Sequence, residues 1–509
     1  MCGHVTYVRA HTEGRLCGVV TEQMKTDEAT RAVPAGGEIL RAPGALGSPG
    51  APWPAALAKW LRSALFRPAV DRHIGWRHVL GAAAFLVAGS AVALARTEGP
   101  GALNTTWIED ASIFLQDALH KSVMTTLTTP NNGYYNTVPR MVTAIAMVFP
   151  LRFVPGIMSA CAALVNTMFG LVAYTASGPH LRSRWLRLLV AAPVCAVPLG
   201  YTQSNDDLAT LQFIALYGTF WLLLWVPATR AGRVASPVIM LGVTLSSILP
   251  VVFAPLVAAR LIADRSRNTR ALAACWAAGL LVQYSVQLRG MSGRNPDWFT
   301  SPLWALGNYV TRVAPRAIFG ELALGGPGTN GEGHPLPLNI QDLGVHTALV
   351  WGAWGLLAVA VVIGLTRLTA PHWALAVTAL LSSVLVFVGE IVDNLPIVQP
   401  RYVIAPALLL YTAIIAALRP RGVPDGVPGS VPGGGRSVVA WTPVAVFALL
   451  LAVVCGFNFR VQNNRSESPP WTAVVAAAER TCMRPSMGDY IYKHAWWTVQ
   501  IPCGKAGPG

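Results

Sequence analysis

The sequence predicts an all-α, polytopic integral membrane protein. Three observations carry this. The 509 residues are 53% hydrophobic and only 12% charged, with mean hydropathy +0.48, where a soluble chain would carry about a quarter charged residues. Several windows run roughly 17 residues or more without a charge, the length needed to cross ~30 Å of hydrocarbon. Arginine supplies 33 of the 38 basic residues, and most sit in short connections between apolar windows, as membrane topology requires. The net charge of +15 is therefore a topology signal and not a nucleic-acid one.

Taken in order, residues 1–77 lack an apolar core and hold Gly, Pro and scattered charges, which reads as a disordered cytoplasmic tail and not as a signal peptide. Spans are expected near 79–95, 155–175, 187–201, 211–228, 235–249, 251–264, 271–288, 345–366, 372–390, 402–418 and 438–457, about eleven transmembrane helices. "RMVTAIAMVF" (140–149) is apolar but short and reads as a half-helix; if it crosses, the count is twelve. Positive charge separates the two. Eleven spans with the amino terminus inside place Arg182, Arg184, Arg187, Arg230, Arg233, Arg265, Arg267, Arg270, Arg367, Arg419, Arg421 and Arg436 in the cytoplasm. Twelve would put "HLRSRWLR" (180–187) and "DRSRNTR" (264–270) outside, against the positive-inside bias. With eleven, 15 of the 23 acidic residues face outward.

This predicts a multi-spanning domain over 78–457 in the plasma membrane, with outer loops 96–139 and 289–344, and a small extracytoplasmic tail over 458–509. The linker 419–437 is Pro/Gly-rich and flexible. Cys161, Cys195, Cys275 and Cys455 fall in apolar spans as small hydrophobes. Cys482 and Cys503 fall in the outer tail, where a disulfide persists, and are expected to pair. The chain has no CxxC or His-rich spacing that would hold a structural zinc.

The first outer loop holds "TTWIEDASIFLQDAL" (105–119), with Glu109, Asp110 and Asp117 close together. A capping box explains part of it: Thr106 as N-cap and Glu109 three residues later satisfy orphan amides, starting an amphipathic surface helix whose apolar face is Ile108, Phe114, Leu115 and Ala118. Position explains the rest. At the outer membrane surface a carboxylate can deprotonate an acceptor hydroxyl or hold a divalent cation against a phosphate leaving group. Both readings stand together if Glu109 caps and Asp110 is free for chemistry. Asp117, two turns after Asp110, would share its face and flank the same site.

An apolar first span, an outer loop with the paired acid "IED", "PNNGYYNTVPR" leading back to the membrane, and a later "QPRYVIAPALLLY" (399–411) together resemble the multi-spanning glycosyltransferases of the C superfamily. The likeness covers roughly 79–503 and includes the tail "PPW" (469–471) and "WTVQIPC" (497–503). It departs from the usual "DD" or "DE" pair by having Glu109 before Asp110, and it has no large soluble outer domain. The resemblance implies a polyprenyl-phosphate sugar as donor, a glycan or lipid acceptor, Asp110 or Glu109 as catalytic base, and Asp110 as ligand of any divalent cation (Mg or Mn).

A phosphate donor needs cations, and arginine offers a planar fork for phosphate oxygens. Arg401 and Tyr402 of the "RY" pair and Arg140 of "YYNTVPR" are the first candidates, with Arg312 and Arg316, four apart on one helical face, behind them. Snorkelling to lipid head groups is the structural alternative for each. "SNDD" (204–207) offers Asp206 and Asp207 as secondary acids, or caps the following span. Trp298, Trp304 and Tyr309 could stack on a sugar or form an interfacial belt. Glu390 or Asp393 would pair with Arg401. The function this predicts is a hexosyl- or pentosyltransferase of the cell envelope. Its rivals are a transporter or flippase of lipid-linked substrate and a non-enzymatic envelope-assembly protein.

Overall fold

The structure, a computed structural model, describes residues 53–506 apart from 70–74, 132, 201–205, 290–301, 325–342, 367, 395–399, 422–435, 461–464, 485–487 and 495–496. Trp298, the linker 422–435 and the greater part of the tail 1–77 lie outside the described residues. The fold is mostly helical, and among the described residues seven helices are long and apolar enough to cross a membrane.

The described chain opens with α1 (Trp53–Ala64), a folded helix where the sequence suggested disorder. The reason is amphipathic: Leu61, Leu65 and Phe66 enter the main core, while Arg62 donates twice to the Ala263 carbonyl. Helix α2 (Trp76–Leu94) follows, then α3 (Val154–Ala176), both of spanning length. Next come three shorter helices, α4 (Leu211–Leu224), α5 (Arg230–Thr244) and α6 (Ala254–Ala263). The remaining spanning helices are α7 (Arg267–Leu288), α8 (Leu343–Gly364), α9 (Trp373–Asn394), α10 (Ile404–Ala417, preceded by a 3-10 turn from Pro400) and α11 (Arg436–Phe457).

Of the eleven expected spans, seven coincide with helices of full spanning length among the described residues, and the others fall on shorter elements. The segment at 187–201 is an eight-residue helix, Arg184–Ala191, and a 3-10 turn through Pro193; proline removes the amide that a continuing helix would need. The segment at 235–249 lies on α5 only as far as Thr244, and the start of that helix carries Arg230 and Arg233. Residues 140–149 fall on the ten-residue helix Thr137–Ala146, about 15 Å at 1.5 Å per residue and half the hydrocarbon thickness. Helix α4 is apolar and 14 residues long. Its side chains Phe213 to Leu224 are buried by protein, so hydropathy there reports the bundle core and not lipid.

Helix α10 is buried throughout and packs chiefly on α9 and α4. Close packing elsewhere depends on glycine. Gly279 of α7 lies against Thr244 of α5, and Gly218 of α4 against Phe169 of α3; a Cβ at either would overlap those side chains. Val87 on α2, Val362 on α8 and Leu449 on α11 stay exposed, apolar surface suited to acyl chains.

A second core lies at the first-loop end. Trp107, Phe114, Leu115 and Leu119 of the loop pack with Met158 of α3 and with Trp471, Val474, Val499 and Ile501 of the tail. The tail forms α12 (Trp471–Cys482) and a hairpin, β1 (Asp489–His494) antiparallel to β2 (Trp497–Pro502), with Tyr492 opposite Val499. Cys482 and Cys503 are disulfide-bonded, joining the end of α12 to the end of the hairpin. Trp471 Nε1 donates to the Leu151 carbonyl, and the Gln500 amide donates to Gln116 Oε1.

Candidate functional site

The acidic stretch enters a π-helical turn, Asp110–Leu115, continued by Gln116–His120. The expected capping box does not form. Thr106 Oγ1 donates to the Trp107 carbonyl, and Glu109 Oε1 accepts from Arg401 Nη1 at 3.0 Å, across 292 residues of sequence. The long Glu109 side chain thus reaches away from its own helix end. Two of the site residues read from sequence, one in the first loop and one opening the "RY" helix, are brought into direct contact. Arg401 lies beside the rings of Phe213 and Tyr402, each 5.8 Å from its guanidinium carbon. Glu109 Oε2 and Arg401 Nε have no hydrogen-bond partner among the described residues.

Asp110 behaves differently from expectation. It is buried, and both its carboxylate oxygens are taken: the Leu208 amide donates at 2.9 Å and the Ala209 amide at 3.1 Å. A carboxylate capping two successive amides pins the 206–210 turn to the first-loop helix. Burial pushes Asp110 up to about 7, against the opposing pull of the Leu208 amide and the Arg465 charge, with a smaller push from Glu109. The role of free acid assigned to Asp110 and that of cap assigned to Glu109 are exchanged in the geometry.

Asp206 and Asp207 stand directly behind. Thr97 Oγ1 donates to Asp206 Oδ2 at 2.9 Å, and the Thr210 amide donates to Asp207 Oδ1 at 2.8 Å. Asp207 is held well above the usual carboxylate range, chiefly by burial and then by the charges of Asp110, Asp206 and Glu109. Four carboxylates in so small a region need a cation, and the tail supplies it. Arg465 is 1% exposed and lies 3.3 Å from Asp206. It also donates to the Ala102 and Thr105 carbonyls and to the hydroxyls of Thr105 and Ser159. Sequence reading missed Arg465. The signal available for it was an arginine in a short polar segment after the last apolar window, "NNRSESPP".

Asp117 does not share the face of Asp110. The π-helical turn places an extra residue between them, and Asp117 instead accepts from Arg140 at 2.7 Å and from Lys121 at 2.6 Å. Arg140 is fully buried, lies over the Phe114 ring and donates from Nε to the Tyr135 carbonyl. Asp117 and Arg140 therefore meet each other, tying the helix at 116–120 to the one at 137–146. Arg316 is engaged by Glu321 at 3.1 Å, both buried, and its Nη1 lies 3.5 Å from the Arg312 carbonyl. Tyr309 is buried with its hydroxyl 2.9 Å from Ser383 Oγ, a packing position and not a sugar platform. An open groove of about 730 Å³ runs beside the site between Thr97, Glu98, Leu103 and Arg460.

Neither a scan against protein-family models nor a search of curated proteins returns a match to this chain. Among the described residues no group of three His, Cys, Asp or Glu side chains is placed to hold a metal ion. Each Asp110 oxygen already accepts one backbone amide. The arrangement is a carboxylate–guanidinium pair in which one buried atom of each member, Glu109 Oε2 and Arg401 Nε, lacks a partner, backed by an acid–arginine cluster.

Proposed function

We propose that this protein is a membrane glycosyltransferase, taking a sugar from a polyprenyl-phosphate donor to an envelope glycan or lipid acceptor on the outer face of the plasma membrane. The observation that supports it most is the meeting of Glu109 with Arg401, an acid and a phosphate-type cation at the membrane boundary. Glu109 Oε2 accepts the proton of the acceptor hydroxyl as its oxygen attacks the anomeric carbon. The bond from that carbon to the phosphate oxygen breaks, and Arg401 takes the departing phosphate through its open Nε–H while Phe213 and Tyr402 hold the guanidinium plane. A single displacement of this kind inverts the anomeric centre. Asp110 is a positioning residue: it fixes the 206–210 turn and does not touch substrate.

The test is purified protein in nanodiscs with a panel of polyprenyl-phosphate sugars. Glu109→Gln should lose roughly 10²- to 10⁴-fold in transfer, the range for a general base, while folding normally. Full transfer by that variant would refute the role of Glu109. A second reading, a flippase or transporter of lipid-linked substrate, draws support from Glu390 and Arg260, ionisable residues buried in α9 and α6. Movement of donor lipid across the disc without sugar release would favour it.

A further inference from the structure

A second polar cluster lies at the opposite end of the bundle. Arg401 and Arg419 bracket α10, about 18 residues apart and so roughly 27 Å along a helix. At the far end Arg419 Nη1 donates to the His180 carbonyl at 3.1 Å. The segment before α9 runs against the end of α10, through Ala370 N to the Arg419 carbonyl and His372 N to the Ala416 carbonyl. The His180 and His372 rings meet edge to face, centroids 5.2 Å apart, with Trp221 beyond His180. Arg67, just after α1, is near enough for its charge to act on both rings, and Arg182 acts on His372.

The cluster is rich in donors and poor in acceptors. The Leu375 amide donates to His372 Nδ1, so the ring proton sits on Nε2, and that N–H is buried without a partner. Neither ring nitrogen of His180, which is 0% exposed, has a hydrogen-bond partner, nor does Arg419 Nε. Burial first holds both histidines low, then His372 and the charges of Arg67 and Arg419 for His180, and Arg67 and Arg419 for His372, which lies at about 4, so both are neutral near pH 7. The neighbouring charges acting on the pair, Arg67, Arg419 and Arg182, are all positive. Among the described residues no carboxylate pairs with Arg67 or Arg419. Like charges gathered around unmet buried donors are unfavourable in a protein alone and favourable around an anion.

We propose that Arg67, Arg419, Arg182 and the His180–His372 pair form a phosphate-binding site at this end of the bundle, separate from the Glu109–Arg401 pair. The guanidiniums supply charge and His372 Nε2–H a neutral, directional donor, a set matched to the tetrahedral oxygens of a phosphate ester. The phosphate belongs either to an anionic phospholipid of the adjoining leaflet or to a small soluble phosphate.

Two arms separate these sources. The full chain in phosphatidylcholine nanodiscs is titrated with inorganic phosphate, and in parallel phosphatidylglycerol is added to the discs and retained lipid is counted by native mass spectrometry. Wild-type protein should bind in one arm or both, and Arg67→Gln should weaken that binding roughly tenfold, the worth of one charge-assisted contact. Retention in the lipid arm alone assigns a membrane phosphodiester; binding of free phosphate assigns a soluble ester. Arg419 also holds the His180 carbonyl, so Arg419→Gln could fail to fold. Arg67, half-buried with Nε on the Ser63 carbonyl of its own turn, carries the test. Equal binding by wild type and Arg67→Gln in both arms, or none by wild type, would overturn the proposal.

Discussion

Replacing Arg465 by methionine probes the joint on which the candidate site rests. The substitution keeps most of the buried volume and removes a guanidinium that serves Asp206, two carbonyls and two hydroxyls at once. Breaking a buried pair by removing one partner costs about 3–5 kcal/mol. The Ala102 and Thr105 carbonyls, left without their donor, add about 1–3 kcal/mol each before relaxation, while the hydroxyls can turn to other partners. A loss of at least about 5 kcal/mol follows, roughly 10 °C or more in melting midpoint at ~2 °C per kcal/mol. Arg465→Lys should recover little, because a compact ammonium cannot reach both sides of the cluster. Asp206→Asn added to Arg465→Met removes the stranded charge and should return about 2–3 kcal/mol, a coupling read from the double-mutant cycle. Near-ultraviolet circular dichroism in nanodiscs measures the midpoints, and protease sensitivity near residue 465 reports release of the tail. A single variant within about 1 kcal/mol of wild type, or a double variant no better than the single, would refute the reasoning.

Other perturbations test separate parts. Asp110 titrates near 7 in the folded protein and near 3.8 as its ordinary value. The folded state therefore keeps a proton that the unfolded chain has released, and stability falls as pH rises from about 4 to 7. The ceiling is about 4 kcal/mol, with Asp207 acting in the same direction. Melting midpoints taken across that range should decline, less steeply in Asp110→Asn; an unchanged slope in the variant would count against the assignment. Reducing the Cys482–Cys503 bond, which spans 21 residues, should cost about 3 kcal/mol on the loop-entropy scale and loosen the hairpin, seen as faster hydrogen exchange at Tyr492 and Val499. Gly279→Val should separate α5 from α7 by crowding Thr244 and lower the midpoint by an amount typical of overpacking, about 1–3 kcal/mol.

Membrane class was legible because hydropathy and arginine placement are local properties of the chain. Which apolar segments the protein itself encloses was not, since the same hydropathy serves exposed helices such as α2 and protein-enclosed ones such as α4. Proline at 193 and the arginines opening α5 were visible in sequence, but an apolar average hides them. Candidate acids and arginines were legible as types, whereas their partners were not. Glu109 finds Arg401 across 292 residues and Asp110 finds Leu208 across 98, distances that no periodicity records. The π-helical turn that sends Asp117 toward Arg140 leaves no signature in "DASIFL". The exchange of roles between Glu109 and Asp110 follows from side-chain reach: the longer acid extends to the "RY" helix, and the shorter one caps the adjacent turn.

Arg465 closes a circuit with Thr105 that spans 360 residues. A ribosome adding roughly 5–20 residues per second takes about 20–70 s to make that stretch. Throughout that wait the first loop is already translated while the arginine that neutralises Asp206 does not yet exist. The acid cluster is consequently completed only after every helix from α2 to α11 has been made. A chain halted before residue 465 has the acids and the helices but lacks the guanidinium that joins them.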